Sequence, residues 1–326
     1  MLKILVLSEK DVKAANLQMR DAIEAVEDAF TAHGQGKTAM PVKAVIDDPK
    51  RGVWTGALPA YIETANVMGI KWHSEVIGNL EKRGLPNIIG TMILNDAISG
   101  APLSIMSVGT LTAIRTAAMS AVAAKYLSKR DSKVLGVIGS GIQARSHLLA
   151  FKEVLPISTV KVYDAIGEAR QKFVDEMSRL VDMQIEPAKN VEDAALGSDI
   201  ILTATTSHKR FLDENSVSEG AFIAAIGEKE ITIGLVEKAN KIVVTDLRQA
   251  KIDGNLAEFF KEKIVSEDKI YAELSEIVTG KKIGRRSDDE LIIFASTGIA
   301  ICDLAVANVV YKLASEKGIG TSIEFL

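Results

Sequence analysis

The sequence contains one cysteine, Cys302, in 326 residues, so no disulfide bond can form within the chain. Such sparse cysteine is typical of proteins in a reducing compartment, and we expect a cytoplasmic protein. No apolar run approaches the roughly 18 residues that would suggest a membrane-spanning helix. We therefore expect no membrane partner. The net charge of -4 includes no basic excess, so we expect no nucleic acid as a partner either.

A chain of 326 residues is about twice the usual length of one domain, which predicts two domains. The first half is predicted to be α+β, because a strand and two helices precede several short β-like runs that favour a largely antiparallel sheet. These runs are Val42–Asp47, Val53–Tyr61, Val67–Val76, Ile88–Asn95 and Pro102–Val108. A long alanine-rich helix is predicted over Leu111–Leu127, where glycine and proline are absent.

From Lys133 onward a strand, a glycine turn and a helix alternate, which predicts an α/β fold with a doubly wound parallel sheet of the Rossmann type. Several strands are continuous β-branched runs, as expected where both faces of a parallel sheet are buried. The predicted strands are Val134–Gly139, Val160–Asp164, Ile200–Thr205, Phe222–Gly227, Ile242–Asp246 and Leu291–Ala295. We assign residues 117–301 to this domain, and residues 1–116 with 302–326 to a discontinuous α+β domain.

The first of these strands leads directly into a glycine motif, Gly139-Ser140-Gly141-Ile142-Gln143-Ala144. Gly139 permits a tight turn, Gly141 lets the backbone approach a pyrophosphate, and the small Ala144 lets the following helix pack closely on the strand. The N-terminus of that helix, at Ile142 and Gln143, offers free N–H groups to phosphate. The motif therefore predicts a dinucleotide site.

An acid at the end of the next strand indicates which dinucleotide binds. Asp164 follows Gly139 by 25 residues, where a carboxylate hydrogen-bonds the adenosine ribose hydroxyls and repels a 2′-phosphate. NAD is therefore predicted rather than NADP. Ligands bind at the carboxyl edge of such a sheet, so later strand ends are expected to contact the cofactor as well. These strand-end residues are Thr203, Thr205, Ala225 and Gly227.

The long helix before the glycine motif begins Leu111-Thr112-Ala113-Ile114-Arg115-Thr116-Ala117-Ala118, and further motifs follow one another along nearly the whole chain. They include Met40-Pro41-Val42-Lys43, Gly69-Ile70-Lys71-Trp72, Gly284-Arg285-Arg286-Ser287, and Ser296-Thr297-Gly298 with Asp303. Together these motifs closely resemble the ornithine cyclodeaminase/μ-crystallin family. The resemblance implies NAD(P)-dependent chemistry on amino or imino acids, and a homodimer formed through the non-Rossmann domain.

The resemblance also implies which residues bind the two ligands. The family's contacts with the substrate carboxylate fall here on Lys43, Lys71 and Arg115. The implied contacts with the cofactor are Arg115, Thr116, Ile142 and Gln143, and Ser296 is a further predicted contact. On this reading the discontinuous domain is the substrate-binding and dimerisation domain.

Arg115 and Lys71 suit a substrate that carries a carboxylate beside its reacting carbon. Arg115 can hold that carboxylate with a bidentate fork, which positions the α-carbon for hydride transfer. Lys71 lies between Ile70 and Trp72 on a predicted strand, where desolvation would lower its pKa and let it act as an acid or base. His73 lies on the same face of that strand and is a candidate second proton carrier.

Three departures from the family pattern bear on the reaction. The loop after Gly227 is shorter than in cyclodeaminases, whose Asp there is taken to handle the substrate amine, and Glu228 is the candidate replacement. Phe294-Ala295-Ser296 lacks the acid of the family's Phe-Asp-Ser. An Arg of the alanine dehydrogenase relatives has no obvious match, with Arg51 as a candidate substitute. The lost acids favour simple hydride transfer over ornithine cyclisation, which needs a carboxylate for the distal amine.

The sequence therefore favours an NAD-dependent oxidoreductase that acts on a small α-amino or α-imino acid, of the alanine dehydrogenase or imine reductase type. Lys71 and Glu228 are its predicted catalytic residues. Two alternatives stay open: an ornithine cyclodeaminase that recycles NAD, and a non-catalytic NAD(P)H-binding protein of the μ-crystallin type. No metal-ligand spacing occurs, and no metal is expected.

Overall fold

A computed structural model describes residues 1–326. Its helices and strands, in chain order, are β1 (Lys3–Leu7), α1 (Glu9–Ala14), α2 (Met19–Gly34), β2 (Thr38–Ala39), β3 (Ala44–Asp48), β4 (Val53–Ile62), β5 (Val67–Glu75), α3 (Asn79–Arg83), β6 (Ile88–Asp96), β7 (Pro102–Ser107), α4 (Gly109–Leu127), β8 (Val134–Ile138), α5 (Ile142–Val154), β9 (Thr159–Tyr163), α6 (Gly167–Met177), β10 (Gln184–Pro187), α7 (Val191–Ala195), β11 (Ile200–Thr203), β12 (Phe222–Ala225), α8 (Ile233–Lys238), β13 (Lys241–Val244), α9 (Leu247–Ala250), α10 (Ala257–Lys261), β14 (Ala272–Glu273), α11 (Leu274–Val278), β15 (Ile292–Ala295), α12 (Ala300–Glu316) and β16 (Thr321–Glu324). The chain divides into two compact units, residues 1–116 with 299–326, and residues 117–298.

An eight-stranded sheet forms the first unit, in the order β16-β1-β7-β6-β5-β4-β2, with β3 paired to β4. Strands β4 to β7 form an antiparallel meander, as the short runs of this half predicted. Strand β1 instead pairs parallel with β7 and antiparallel with β16. The two ends of the chain therefore complete one edge of the same sheet.

The two faces of the first sheet differ in what covers them. Helix α12 packs on β4, β5 and β6, and side chains on this covered face, such as Leu58 and Met92, are buried. Successive side chains of a strand alternate between faces, so the next residue along points the other way. The opposite face leaves four large apolar side chains exposed: Ile46, Trp72, Ile89 and Ile93.

The second unit is built on a parallel sheet in the order β10-β9-β8-β11-β12-β15-β13-β14. From β8 the chain continues to β9 and β10 on one side, then returns to β11 on the other side of β8. The strand order therefore reverses between β8 and β11, and doubly wound sheets bind dinucleotides at such a reversal. Buried aliphatic residues from the neighbouring strands β11, β12 and β15, including Ile201, Ile223 and Ile293, form part of its core.

Helix α4 begins at Gly109 and carries Thr112 and Arg115 in its early turns. Its first turn is capped by Glu9, a residue far away in sequence. Glu9 Oε1 accepts hydrogen bonds from the backbone N–H of Thr110, at 3.1 Å, and from the Thr110 hydroxyl. Glu9 Oε2 accepts a further bond from Ser107 at 2.7 Å. A carboxylate satisfies the free N–H groups of a helix N-terminus and complements its dipole. These bonds fix the start of α4 within the first unit.

The structure differs from the sequence-based prediction mainly at the ends of strands. Strands β2, β10, β14 and β16 were not predicted, because runs of two to four residues carry too little periodicity to detect. The strands predicted over Ile200–Thr205 and Phe222–Gly227 end earlier, at Thr203 and Ala225. Beyond those points the backbone N–H groups of Thr205 and Gly227 bond to a side chain, Glu230, rather than to a neighbouring strand.

No helix of this fold combines the length and the apolar character that crossing a bilayer would require.

Candidate active site

Lys71 lies on the covered face of the first sheet and is fully buried. Its neighbours across β4 and β6 are Leu58 and Met92, which are themselves buried apolar residues. The ammonium donates to Thr112 Oγ1 at 2.8 Å and to Asp303 Oδ1 at 2.9 Å. An ammonium has three N–H donors, so one donor of Lys71 is left without a protein partner.

Arg115 reaches the same carboxylate from helix α4. Its Nε donates to Asp303 Oδ1 at 3.0 Å, and neither Nη1 nor Nη2 makes a hydrogen bond. Thr112 and Arg115 are three residues apart, which places them on one face of α4. Sequence reasoning paired Lys71 with Arg115 but gave no role to Asp303, the residue that joins them. The apolar run of α12 in which Asp303 stands is the signal that could have found it, because an acid buried there needs a partner.

Burial lowers the pKa of Lys71 to about 8, although the neighbouring carboxylate of Asp303 opposes the shift. For Asp303, burial alone would raise the pKa, but the charges of Arg115 and Lys71 outweigh it and hold the pKa below its usual value. The pair is therefore an ion pair at neutral pH. A lysine that titrates near pH 8 can both give and take a proton under ordinary conditions.

His73 and Lys43 complete the polar side of this cluster. His73 shares a strand face with Lys71, and its Nδ1 is buried without a hydrogen-bond partner. Burial and the charge of Lys71 lower the pKa of His73 to about 3, so the imidazole is neutral and donates no proton at physiological pH. Lys43 Nζ lies 5.5 Å from the centroid of the Trp54 ring, within cation–π range. Arg51, the candidate substitute, instead forms an exposed ion pair with Asp48 at 2.5 Å.

In the second unit the glycine motif forms the turn from β8 into α5. Gly139 has φ +97°, and a Cβ there would lie 2.4 Å from the carbonyl oxygen of Ala204, just beyond β11. Gly141 is the N-cap of α5, makes no side-chain cap, and has open space where a Cβ would stand. Ala144 is fully buried. The motif thus forms an open helix N-terminus, begun by Ile142 and Gln143, at the reversal of strand order.

Asp164 lies beside this turn. Its Oδ2 accepts hydrogen bonds from the backbone N–H and the hydroxyl of Ser140, at 2.8 and 2.7 Å, and its Oδ1 accepts from the N–H of Ile166 at 2.9 Å. The end of β9 is therefore tied to the glycine turn. The carboxylate stands where the sequence predicted a ribose contact, and that role stays a prediction.

The strand ends predicted to contact the cofactor converge on a residue that sequence reasoning missed, Glu230. Its fully buried carboxylate accepts from the hydroxyls of Thr203 and Thr205, at 2.6 and 2.9 Å, and from the backbone N–H groups of Thr205 and Gly227, at 2.7 and 2.8 Å. Asn255 accepts the N–H of Glu230 and donates to the carbonyl of Gly227. Burial raises the pKa of Glu230. Glu230 therefore joins the ends of β11 and β12.

The other predicted site residues occupy less connected positions. Glu228 is exposed and makes no hydrogen bond in the structure. Ser296 is buried after β15, and its N–H donates to the carbonyl of Ala225 at 3.0 Å. Thr116 is buried on α4 and donates to the carbonyl of Thr112. No group of three or more His, Cys, Asp or Glu side chains is arranged to hold a metal ion.

The hydrogen bonds of Glu230 predict a loss of stability on substitution, and the exposed Glu228 offers a matched control. In Glu230→Gln, an amide N–H₂ must face at least one donor, so the free energy of unfolding should fall by about 1–3 kcal/mol. Glu228→Gln, two residues away and exposed, should leave it within about 0.5 kcal/mol. Urea unfolding of the two variants measures the difference, and equal stabilities would contradict the network.

Known proteins of one family match this chain over nearly its whole length. The profile of the Ornithine cyclodeaminase/mu-crystallin family matches residues 3–318. The chain is 37% identical to the alanine dehydrogenase of Archaeoglobus fulgidus over 99% of each chain. The structure of Thermococcus litoralis Delta(1)-pyrroline-2-carboxylate reductase in complex with NADH and L-proline matches with 35% identity and a TM-score of 0.93, covering 98% of this chain and 100% of that one. A dimer of an archaeal alanine dehydrogenase with bound NAD matches with 36% identity and a TM-score of 0.94, covering 100% of both chains. The chain therefore belongs to the ornithine cyclodeaminase/μ-crystallin family.

Proposed function

We propose that this protein is an NAD-dependent oxidoreductase that interconverts a small α-imino acid and the corresponding α-amino acid. The observation that carries the proposal is the buried cluster of Lys71, Asp303 and Arg115, in which both cations keep unused hydrogen-bond donors. The relatives support the same class of reaction, since they are named alanine dehydrogenase and Delta(1)-pyrroline-2-carboxylate reductase. The two matching structures of such relatives contain NADH or NAD.

The charges of the cluster favour an anionic substrate. Lys71 and Arg115 bring two positive charges to one negative charge, that of Asp303, and the neutral His73 adds none. Lys43 adds a further positive charge near the cluster, and this charge contributes to lowering the pKa of both Lys71 and His73. The Nη1 and Nη2 groups of Arg115 form the planar fork that matches a carboxylate. A substrate carboxylate would therefore neutralise an excess of positive charge in a poorly solvated place.

Lys71 supplies the proton that the reaction needs. Reduction of an imine consumes one hydride and one proton, and oxidation of the amine releases both. With a pKa of about 8, the Lys71 ammonium can protonate the imine nitrogen, and the neutral amine can take the proton back in the reverse direction. His73, neutral at physiological pH, leaves this task to Lys71.

The second unit fits NAD on its own geometry. The open space at Gly141 and the uncapped start of α5 leave room and N–H donors for a pyrophosphate at Gly141, Ile142 and Gln143. Asp164 beside the turn is the proposed ribose contact, and a carboxylate there disfavours a 2′-phosphate. When bound, the nicotinamide supplies or accepts the hydride at the α-carbon.

Further cofactor contacts are proposed at the strand ends Thr203, Thr205, Ala225 and Gly227 and at Ser296, Arg115 and Thr116. The hydroxyls of Thr203 and Thr205 are committed to Glu230, so we assign these two residues a contact through the backbone or the methyl group. Glu228 stays the proposed acid of its loop, because it is exposed and free of hydrogen bonds.

The reaction class is tested by following NADH absorbance with Delta(1)-pyrroline-2-carboxylate, and separately with pyruvate and ammonia. The wild-type protein should consume NADH with at least one of them. Arg115→Ala should lower kcat/KM by about 100-fold, because a charged hydrogen-bond pair to the substrate is lost, while Arg115→Lys, which keeps the charge but not the fork, should recover part of it.

Other outcomes identify the alternatives. Formation of proline and ammonia from ornithine with catalytic NAD, without activity on any imino acid, would replace the proposal with a cyclodeaminase. NADH binding without turnover of any of these compounds would indicate a binding protein.

The two glycines of the turn separate cofactor binding from folding. The Gly141 backbone is extended, with φ -76° and ψ -165°, and alanine adopts this conformation without strain. Gly141→Ala should therefore keep the wild-type melting temperature but weaken NADH binding about tenfold or more, since its Cβ occupies the space meant for the pyrophosphate. Gly139→Ala should instead destabilise the fold, because its Cβ meets the Ala204 carbonyl. NADH fluorescence titration and thermal unfolding distinguish the two, and unchanged NADH affinity in Gly141→Ala would contradict the assignment.

The uncovered face of the first sheet is proposed as the surface that pairs with a second copy of the chain. Ile46, Trp72, Ile89 and Ile93 are exposed on it, and exposed apolar patches of this kind mark interaction surfaces. The archaeal alanine dehydrogenase that matches this chain is described as a dimer. The first unit would thus serve both substrate binding and dimerisation.

Light scattering after size exclusion tests the dimer. Ile93→Asp places a charge within the apolar face and should yield a monomer, since burying an unpaired carboxylate is costly. Ile98→Asp, in an exposed turn of the same unit, should leave the dimer intact. A wild-type monomer, or a dimeric Ile93→Asp, would rule this surface out.

A further inference from the structure

We propose that Asp303 is a positioning residue of the reaction, which aims the guanidinium of Arg115 at the substrate carboxylate and keeps Lys71 protonated for transfer to the imine. The inference rests on the function proposed above. It goes beyond that function because it assigns the orientation of Arg115 and the charge of Lys71 to one carboxylate.

The geometry of Asp303 is that of a shared anchor. A single oxygen, Oδ1, accepts from Lys71 Nζ at 2.9 Å and from Arg115 Nε at 3.0 Å. The other oxygen, Oδ2, is buried and has no hydrogen-bond partner. Buried polar atoms in proteins are nearly always paired, so an ion pair that served folding alone would be expected to satisfy both oxygens. Asp303 instead directs one oxygen to both cations and leaves the other unused.

The point at which Asp303 holds Arg115 determines what the guanidinium can still do. Because Nε is used, the side of the guanidinium is anchored and its end, formed by Nη1 and Nη2, is free. Arg115 is almost fully buried, so this orientation is not an average over solvent-exposed rotamers. The anchor thereby prepares a bidentate carboxylate site before substrate arrives, which lowers the entropic cost of binding.

Asp303 also opposes every other influence on the charge of Lys71. Leu58 and Met92 flank Lys71 on β4 and β6 and exclude water, while Arg115, Lys43 and the buried surroundings all favour the neutral amine. The one carboxylate that faces Lys71 is Asp303, whereas His73 on the same strand is uncharged at neutral pH. Without Asp303 the amine would lose its proton at a lower pH and cease to act as an acid at neutral pH.

The position of Asp303 on α12 adds to the effect of the two cations on its charge. It lies in the first turn of this helix, where the helix dipole stabilises a negative charge. Its neighbours Cys302 and Leu304 are buried, so the helix is anchored on both sides of the acid. The carboxylate is therefore held both by the packing of α12 and by the two hydrogen bonds that its Oδ1 accepts.

Asp303→Asn tests the proposal, because the amide can keep an oxygen at the Oδ1 position and place its nitrogen at the unpaired Oδ2 position. In imine reduction, activity falls as pH rises through the pKa of Lys71, since the ammonium is the acid. We expect this alkaline limb of the kcat profile to move to lower pH by about one unit or more in the variant. The KM for the imino acid at pH 6, where Lys71 is protonated, should change far less.

A control variant separates this effect from general destabilisation. Asp199→Asn removes a half-buried carboxylate that pairs with Lys129 at 3.1 Å in the second unit, and its pH profile should follow the wild type. If Asp303→Asn lowers the melting temperature but leaves the alkaline limb in place, Asp303 is only structural and the proposal is wrong.

A second measurement decides the matter even if no imino acid is reduced, in which case the proposed function itself has failed. With Asp303 in place, the pKa of Lys71 lies near 8 in the folded protein against 10.5 for an unperturbed lysine, so its charged form already costs stability below pH 8. Removing the carboxylate charge should lower the folded pKa further and increase that cost. The loss of stability caused by Asp303→Asn should therefore be largest near pH 6 and shrink as pH rises toward 9. In a Lys71→Met background the same substitution should give a loss that does not vary with pH. A pH-independent loss in both backgrounds would overturn the proposal.

Discussion

A buried carboxylate shared by two cations is the constraint on which the proposed substrate site depends. Asp303 holds Lys71 from a strand and Arg115 from a helix within a space lined by apolar side chains. Burying these groups is costly unless each is paired, so their geometry is strict. The burial that demands this pairing also lowers the pKa of Lys71 to about 8. Two cations share one carboxylate, so the cluster has one positive charge more than its negative charge. In the proposed function, a substrate carboxylate would supply the missing negative charge.

A second buried carboxylate organises the cofactor unit in a different way. Glu230 has no cation beside it and instead gathers hydroxyl and backbone N–H donors from the ends of β11 and β12. Those strand ends leave the sheet next to the turn of Gly139, whose missing Cβ lets Ala204 approach. The loops at this edge are thus fixed by hydrogen bonds at Glu230 and by close backbone contact at Gly139. Both devices fix the edge of the sheet at which dinucleotides bind.

Much of this could be predicted from the sequence, and the remainder has physical reasons. Continuous β-branched runs and the Gly139–Ala144 motif were sufficient for the parallel sheet, because both signals are local. The family resemblance, which the family match over residues 3–318 confirms, predicted Lys71 and Arg115 as site residues, and the structure brings both to one carboxylate. Asp303 and Glu230 were missed as site residues because their importance comes from partners distant in sequence: Asp303 lies 232 positions from Lys71. Glu228 was predicted from its place in the shortened loop, and nothing in the sequence shows that Glu230, two residues away, is the buried acid of this loop.

The central claim is that a hydride passes between the nicotinamide and the α-carbon of an imino acid whose carboxylate the cluster of Lys71, Asp303 and Arg115 binds. The most direct measurement uses NADH deuterated at C4 of the nicotinamide on the transferred face, with Delta(1)-pyrroline-2-carboxylate or pyruvate and ammonia as acceptor. Mass spectrometry and proton NMR of the product should find one deuterium at the α-carbon. A product without deuterium at that carbon, or no amino acid product at all, would contradict the account.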